Sequence, residues 1–262
     1  MFKGVIPQIV KLRGVVDEYR LWVNTNDVED IEFMKCVEAT YPDFIKLEYL
    51  TVPYEGNGSI YSFFKNCQED NTVYVRFDDD IVYLDDMDRF KEFLKFRIDH
   101  PEFFLVYGNI LNNAIISHIH QRMMKLDINH GVSGYMCSDF IGWTNPIFAE
   151  SIHRCVLSNI RDNENLEHFH MPNWLLFFYE RCSINCISWL GSEFALFNAE
   201  VGPDEEQWLS CDKPASIKKM NCIFGRFCCV HYAFGPQRHY IDSTDILNQY
   251  RDIVAKKMNI TF

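Results

Sequence analysis

The chain lacks a basic excess, a membrane-length apolar run and any pair of cysteines at CxxC spacing. Its 25 Lys and Arg against 37 Asp and Glu leave a net charge of −12. Nucleic acid and anionic membranes demand a basic face, so neither is expected as a partner. A nucleotide stays admissible, because a bound metal can bring one to an acidic site. The longest aromatic-aliphatic cluster, Trp174 to Tyr179, falls far short of the roughly 20 apolar residues of a spanning helix. Lys3, Lys11 and Arg13 interrupt the only short apolar stretch near Met1, so no secretory signal is expected. The ten cysteines follow no zinc pattern, the closest pairs being Cys182-x3-Cys186 and Cys228-Cys229. Reduced thiols and a cytoplasmic location are the expectation. Internal repeats and low-complexity linkers are also missing.

What remains suits one α/β domain over residues 1–262. Arg20 to Asn24 reads as a strand ending in a polar loop, followed by a helix through Ile31, Met34 and Val37 that stops near Pro42. Lys46 to Leu50 is a second strand. Ser59 then reads as an N-cap for a helix with Ile60, Phe63, Phe64 and Cys67 on one face. Val73 to Phe77 is a third strand, and Met87, Phe90, Leu94 and Ile98 mark a helix that Pro101 ends. Phe103 to Tyr107 reads as the next strand. Strands separated by helices predict parallel crossovers in a doubly wound sheet. The stretch from about 108 to 173, rich in Asn and His and weakly periodic, reads as an irregular insertion walling a cleft. Strand character returns over Ser183 to Leu190 and Phe227 to Tyr232, before a closing helix through Ile246, Tyr250 and Val254 capped by Asp242 or Ser243.

The most informative feature is Asp78-Asp79-Asp80, directly after the apolar run Val73 to Phe77. Three adjacent carboxylates repel one another unless a cation binds, and α/β sheets bind ligands at the carboxyl ends of strands. If strand geometry persists, Asp78 and Asp80 point the same way, about 7 Å apart at the backbone. Two hard oxygen donors so placed suit Mg²⁺ or Mn²⁺ carrying a substrate phosphate. The alternative is an acidic turn capping the next helix near Asp85. Trp143, Trp174 and Trp189 are candidates to stack on sugar faces, and Asn109, Asn112 and Asn113 to bond hydroxyls; core packing and a turn are the respective alternatives. His118-x-His120 and His168-x-His170 offer further ligands if each pair lies on a strand.

The strand with its Asp78-Asp79-Asp80 end, preceded by Gly56-Asn-Gly-Ser59, resembles the GT-A family of nucleotide-sugar glycosyltransferases and their DxD motif. Three later segments occur in the family's order: Trp189-Leu-Gly-Ser-Glu-Phe194, Gly202-Pro-Asp-Glu-Glu-Gln-Trp208, and Val230-His-Tyr-Ala-Phe234 followed by Gln237-Arg238. The likeness covers most of the chain and is nearest to small stand-alone enzymes that build bacterial or large-virus glycans. It implies a GT-A-like (Rossmann-like) α/β fold, a mixed, mostly parallel sheet flanked by helices with an inserted acceptor-side region, the nucleotide-sugar half over about 1–107 and the acceptor and catalytic half over about 108–262. It implies that Asp80, His231 and Asp78 hold Mn²⁺ or Mg²⁺, and that Asp78, Asp79, Arg238 and Asn24 bind the nucleoside-diphosphate sugar, a UDP-sugar by expectation. Trp189 and Gly191 would face the acceptor glycan, and Asp204 or Glu205 would serve as the base of an inverting transfer. One departure stands out. GT-A domains begin with a strand, whereas Pro7 to Val16 reads as helical, leaving that strand missing, moved or reduced to Phe2 to Ile6.

Two rivals use the same residues. A metal-dependent phosphohydrolase would add the HxH pairs as ligands and release phosphate without an acceptor. A non-catalytic glycan-binding protein would use the aromatic cleft and ignore UDP with Mn²⁺.

Overall fold

Two sheets carry the strands in a computed structural model that describes residues 2–259. The chain starts with helix α1 (Phe2–Lys11), so the Phe2 to Ile6 strand considered from the sequence is helical instead. Strand β1 (Tyr19–Val23), helix α2 (Val28–Thr40) and strand β2 (Ile45–Tyr49) form one parallel crossover. Asp27 starts α2 by accepting from the Glu29 and Asp30 amides, which satisfies two otherwise orphaned donors. Ser59 does not cap the 3₁₀ turn Ile60–Asn66 that follows; its hydroxyl donates to Asn24 Oδ1 at 2.8 Å instead.

Strand β3 (Val73–Phe77) lies where the apolar run predicts it. Strand β4 (Ile81–Leu84), unread in the sequence, follows at once, and then helix α3 (Met87–Asp99). The cap of α3 is Asp86, whose side chain accepts from Asp88 and Arg89 amides. Asp78–Asp80 are therefore not a helix cap. Strand β5 (Val106–Leu111) starts three residues later than the predicted Phe103, and its far end enters the stretch read as irregular. That stretch is largely helical: α4 (Ala114–Arg122), a π turn at Phe140–Thr144, and the 18-residue α5 (Pro146–Asn163). Strand β6 (Trp174–Leu176) and strand β7 (Cys186–Leu190) follow, then short helices α6 (Gly191–Ala195), α7 (Glu205–Gln207) and α8 (Lys213–Ile217). Strand β8 (Asn221–His231) is longer than predicted, and α9 (Gly235–Ile241) and α10 (Ile246–Met258) close the described chain. Neither Asp242 nor Ser243 caps α10, whose N-cap position is Asp245.

The large sheet runs β3-β7-β5-β8-β4, with β6 also on β8. Of its ladders only β5–β8 is parallel; the expectation of a mostly parallel sheet is overturned. Helical crossovers give parallel pairs only when successive strands lie side by side; here β7 sits between β3 and β5 and runs antiparallel to both, and β4 and β6 run antiparallel to β8. The result is a mixed α/β sheet flanked by helices. The β1–β2 pair shares no ladder with it among the described residues.

Two side-chain choices fix this frame. Gln8 of α1 seals the outer edge of β4: its Nε2 donates to Val82 O at 3.3 Å and its Oε1 accepts from Leu84 N at 2.9 Å. A bare edge strand is a liability, and a buried amide covers this one. Gly225, midway along β8, lets Met171 cross; a Cβ there would sit 1.9 Å from Met171 O. No helix among the described residues is long and apolar enough to cross a membrane.

Candidate functional site

The acidic segment crosses the end of the large sheet. Asp78 N donates to Asn185 O at 2.9 Å, just before β7, and Tyr232 N donates to Asp80 O at 2.9 Å, just past β8. Ile81 is paired with His231 in the β4–β8 ladder, which brings two residues about 150 positions apart to one place. His231 Nε2 lies 3.1 Å from Asp80 Oδ2, and its Nδ1 faces Asn112 O at 3.0 Å. Arg238, at the start of α9, donates to the same Asp80 oxygen at 2.7 Å. Burial alone would raise Asp80, but the imidazolium of His231 and the guanidinium of Arg238 outweigh it and hold its carboxyl below the usual value. Burial would likewise depress His231, and Asp80 reverses that, raising it.

Asp78 turns elsewhere. Arg76 Nη2 donates to its Oδ1 at 2.7 Å and Asn185 Nδ2 to its Oδ2 at 2.9 Å. Burial raises Asp78, Asp80 adds to this, and Arg76 opposes both. Asp79 is exposed at the rim. Arg76 also faces Glu205 at 3.9 Å, and its Nη1 is buried with no hydrogen-bond partner. Asn185 Oδ1 is orphaned in the same way. A buried, unpaired guanidinium nitrogen and amide oxygen beside a cleft are groups that a ligand can satisfy.

These residues line a cleft of about 1600 Å³ between the two sheets. Trp22 and Tyr19 of β1 line it together with the carboxylates, and the Arg76 guanidinium of β3 lies 6.0 Å from the Trp22 ring. Glu205, at the first turn of α7, enters with its side chain 14% exposed, and burial raises its pKa while Arg76 resists. Asp204 also lines the cleft, but its side chain is exposed and already paired: Arg181 binds both of its oxygens, at 3.0 and 3.1 Å, and it caps α7 through Gln207 N. Asn24 lines the cleft, but its amide is committed to Gly56 O and Ser59.

Other sequence candidates fall outside the chemistry. Trp189 counts among the residues lining the cleft, but it is 1% exposed, stacks on Tyr74 and Phe194, and donates to Cys67 O, so its ring is held in the core. Gly191 is there for packing, since a Cβ would meet Glu69 O at 2.1 Å. Trp143 does line the cleft, whereas Trp174 lines a separate hollow of about 420 Å³ with Tyr135. Asn109, Asn112 and Asn113 are buried and bond backbone carbonyls. None of His118, His120, His168 and His170 lines the cleft. The residues missed from the sequence are Arg76, Asn185 and Arg181. Arg76 left a signal, being a lone charge inside an apolar strand.

The donor set can be tested against a divalent cation. Two ligands at about 2.1 Å in adjacent octahedral positions stand about 3 Å apart, the separation of Asp80 Oδ2 and His231 Nε2. That pair fits one metal. Asp78 does not gather with them into one cluster of donors within 4.8 Å, and its oxygens serve Arg76 and Asn185. No protein-family model, curated protein or solved structure matches the chain.

Proposed function

We propose that the chain is a metal-dependent glycosyltransferase that moves a sugar from a nucleoside-diphosphate sugar to a glycan hydroxyl with inversion. The observation that carries the reading is the 3.1 Å Asp80–His231 pair at the head of a cleft that also receives Glu205. Asp80 and His231 would hold Mn²⁺ or Mg²⁺, which supplies charge neutralisation for a departing diphosphate. Arg76, with an unpaired nitrogen, and Arg238, at the cleft mouth, supply further positive charge for that diphosphate. Glu205 takes the proton of the acceptor hydroxyl, and its raised pKa matches that task. Trp143 offers an aromatic face to a sugar ring.

The phosphohydrolase alternative loses its extra ligands, because the HxH histidines stand away from the cleft. The test is a panel of UDP-, GDP- and TDP-sugars titrated by calorimetry with and without Mn²⁺. Binding that needs the metal, and nucleoside-diphosphate release that needs a glycan acceptor, are expected. Failure of every nucleotide to bind sinks the reading.

A further inference from the structure

The β4–β8 ladder has a second polar cluster at its other end. Asp85 follows β4, Cys228 lies within β8, and His170 follows the 3₁₀ turn Glu167–Phe169. Asp85 N donates to Cys228 O at 2.9 Å and Cys228 N returns a bond to Asp85 Oδ2 at 3.2 Å. His170 Nε2 lies 3.2 Å from the same carboxylate oxygen. The carboxylate oxygen, imidazole nitrogen and thiol sulfur all lie within 4.8 Å of one another. Among the described residues no other three His, Cys, Asp or Glu donors gather so closely.

We propose that Asp85, His170 and Cys228 form a zinc(II) site that ties the segment around His170 to the β4–β8 ladder. The geometry is close to what tetrahedral zinc needs. Nitrogen and oxygen ligands at about 2.0 Å stand about 3.3 Å apart in a tetrahedron, and His170 and Asp85 are at 3.2 Å. A sulfur at its own bond length of about 2.3 Å would stand about 3.5 Å from the other two donors, and Cys228 Sγ lies within 4.8 Å of both. The donor chemistry selects the metal: one thiolate, one imidazole and one carboxylate suit Zn²⁺, whereas Mg²⁺ and Mn²⁺ prefer oxygen throughout.

Charge supports the same assignment. The Asp85 and Cys228 donors are both buried, and a carboxylate with a thiolate would neutralise a dication there, an imidazole ligand adding no charge of its own. Binding exchanges the Cys228 thiol proton for a metal–sulfur bond, with one proton released to solvent. Three protein donors leave the fourth position to water. The site is separate from the Asp80–His231 pair, the strand β4 lying between them.

Cobalt(II) is the probe, because it takes tetrahedral zinc sites and shows a thiolate-to-metal charge-transfer band that oxygen and nitrogen ligands cannot give. Titrating Co²⁺ into the reduced full chain should raise this band to saturation at a single site, and Zn²⁺ should remove it. Cys228→Ser should abolish the band. His170→Gln and Asp85→Asn should weaken cobalt affinity by about tenfold or more. Asp80→Asn should leave the band in place, which separates this site from the cleft. His170 is only partly buried, so His170→Gln carries the test should Cys228→Ser fail to fold. Absence of a thiolate band in the wild-type chain, or a band that survives both Cys228→Ser and His170→Gln, overturns the assignment.

Discussion

Arg181 binds both carboxylate oxygens of Asp204, at 3.0 and 3.1 Å, and takes Glu206 through Nε at 2.7 Å. Three consecutive acids are thereby divided. Two are neutralised at the surface by one guanidinium, and Glu205 is left facing Arg76 and the cleft. The division predicts unequal kinetics. Glu205→Gln should cut turnover by about two to four orders of magnitude, with donor affinity nearly unchanged. Asp204→Asn should leave turnover within a few-fold and cost about 1 kcal/mol of stability through the lost cap and ion pair. Steady-state kinetics on both variants decides it; equal losses, or none, place the base elsewhere.

Metal and nucleotide binding should fail together when the Asp80–His231 pair is broken. Asp80→Asn keeps the shape of a buried side chain while removing the charge that His231 and Arg238 share. Calorimetry should show Mn²⁺-dependent nucleotide binding lost in Asp80→Asn and in His231→Ala, with circular dichroism unchanged. Undiminished affinity in either variant removes that residue from the site.

Gln8 should contribute to stability far beyond its size. Gln8→Leu leaves a buried amide and a buried carbonyl of β4 without their partners, at about 1–3 kcal/mol for each group. An unfolding free energy lowered by about 2–4 kcal/mol in urea titration is expected, with catalysis at saturating substrate retained. A loss under about 0.5 kcal/mol would mean that water reaches the edge of β4.

The acid limb of stability should report His153. Its ring bonds Tyr232 O at 2.7 Å and Tyr250 Oη at 3.1 Å, and burial lowers its pKa from 6.5 to about 4. Between those values the unfolded chain holds a proton that the folded chain does not, so stability falls as pH falls from 6.5 to about 4. The slope approaches about 1.4 kcal/mol per pH unit from this group. Denaturation midpoints from pH 7 downward should fall less steeply for His153→Gln than for the wild type; parallel curves would refute the assignment.

Strand β3 and its acidic end were legible because apolar run and charge cluster are both local signals. His231 was singled out only through the ordered segments of the family resemblance, since a lone His on an apolar strand more often belongs to the core. Helix α5 was not read, although Phe148, Ile152, Val156 and Ile160 recur at four-residue spacing behind Asn145 and Pro146. The surrounding Asn and His residues masked the period. Strand β4 was too short to register between two acidic segments, and the parallel sheet was mistaken because β7 inserts antiparallel between β3 and β5, a long-range pairing that no local pattern shows. Trp189 is marked for the core by its partners on β3 and α6, which no local pattern reveals. Asp85, His170 and Cys228 come from three distant segments, so no spacing rule could gather them.

The break between the β1–β2 pair and the large sheet has a consequence for how the molecule opens. Backbone hydrogen bonds join each sheet internally and none of the ladders crosses between β1 and β3. The smaller unit can therefore lose its amide protection without disrupting β5 and β8. Deuterium should enter Tyr19–Val23 and Ile45–Tyr49 as one kinetic group, well ahead of Val106–Leu111. One wall of the cleft thus belongs to the least protected unit of the fold, and a ligand bridging both walls should slow exchange there first.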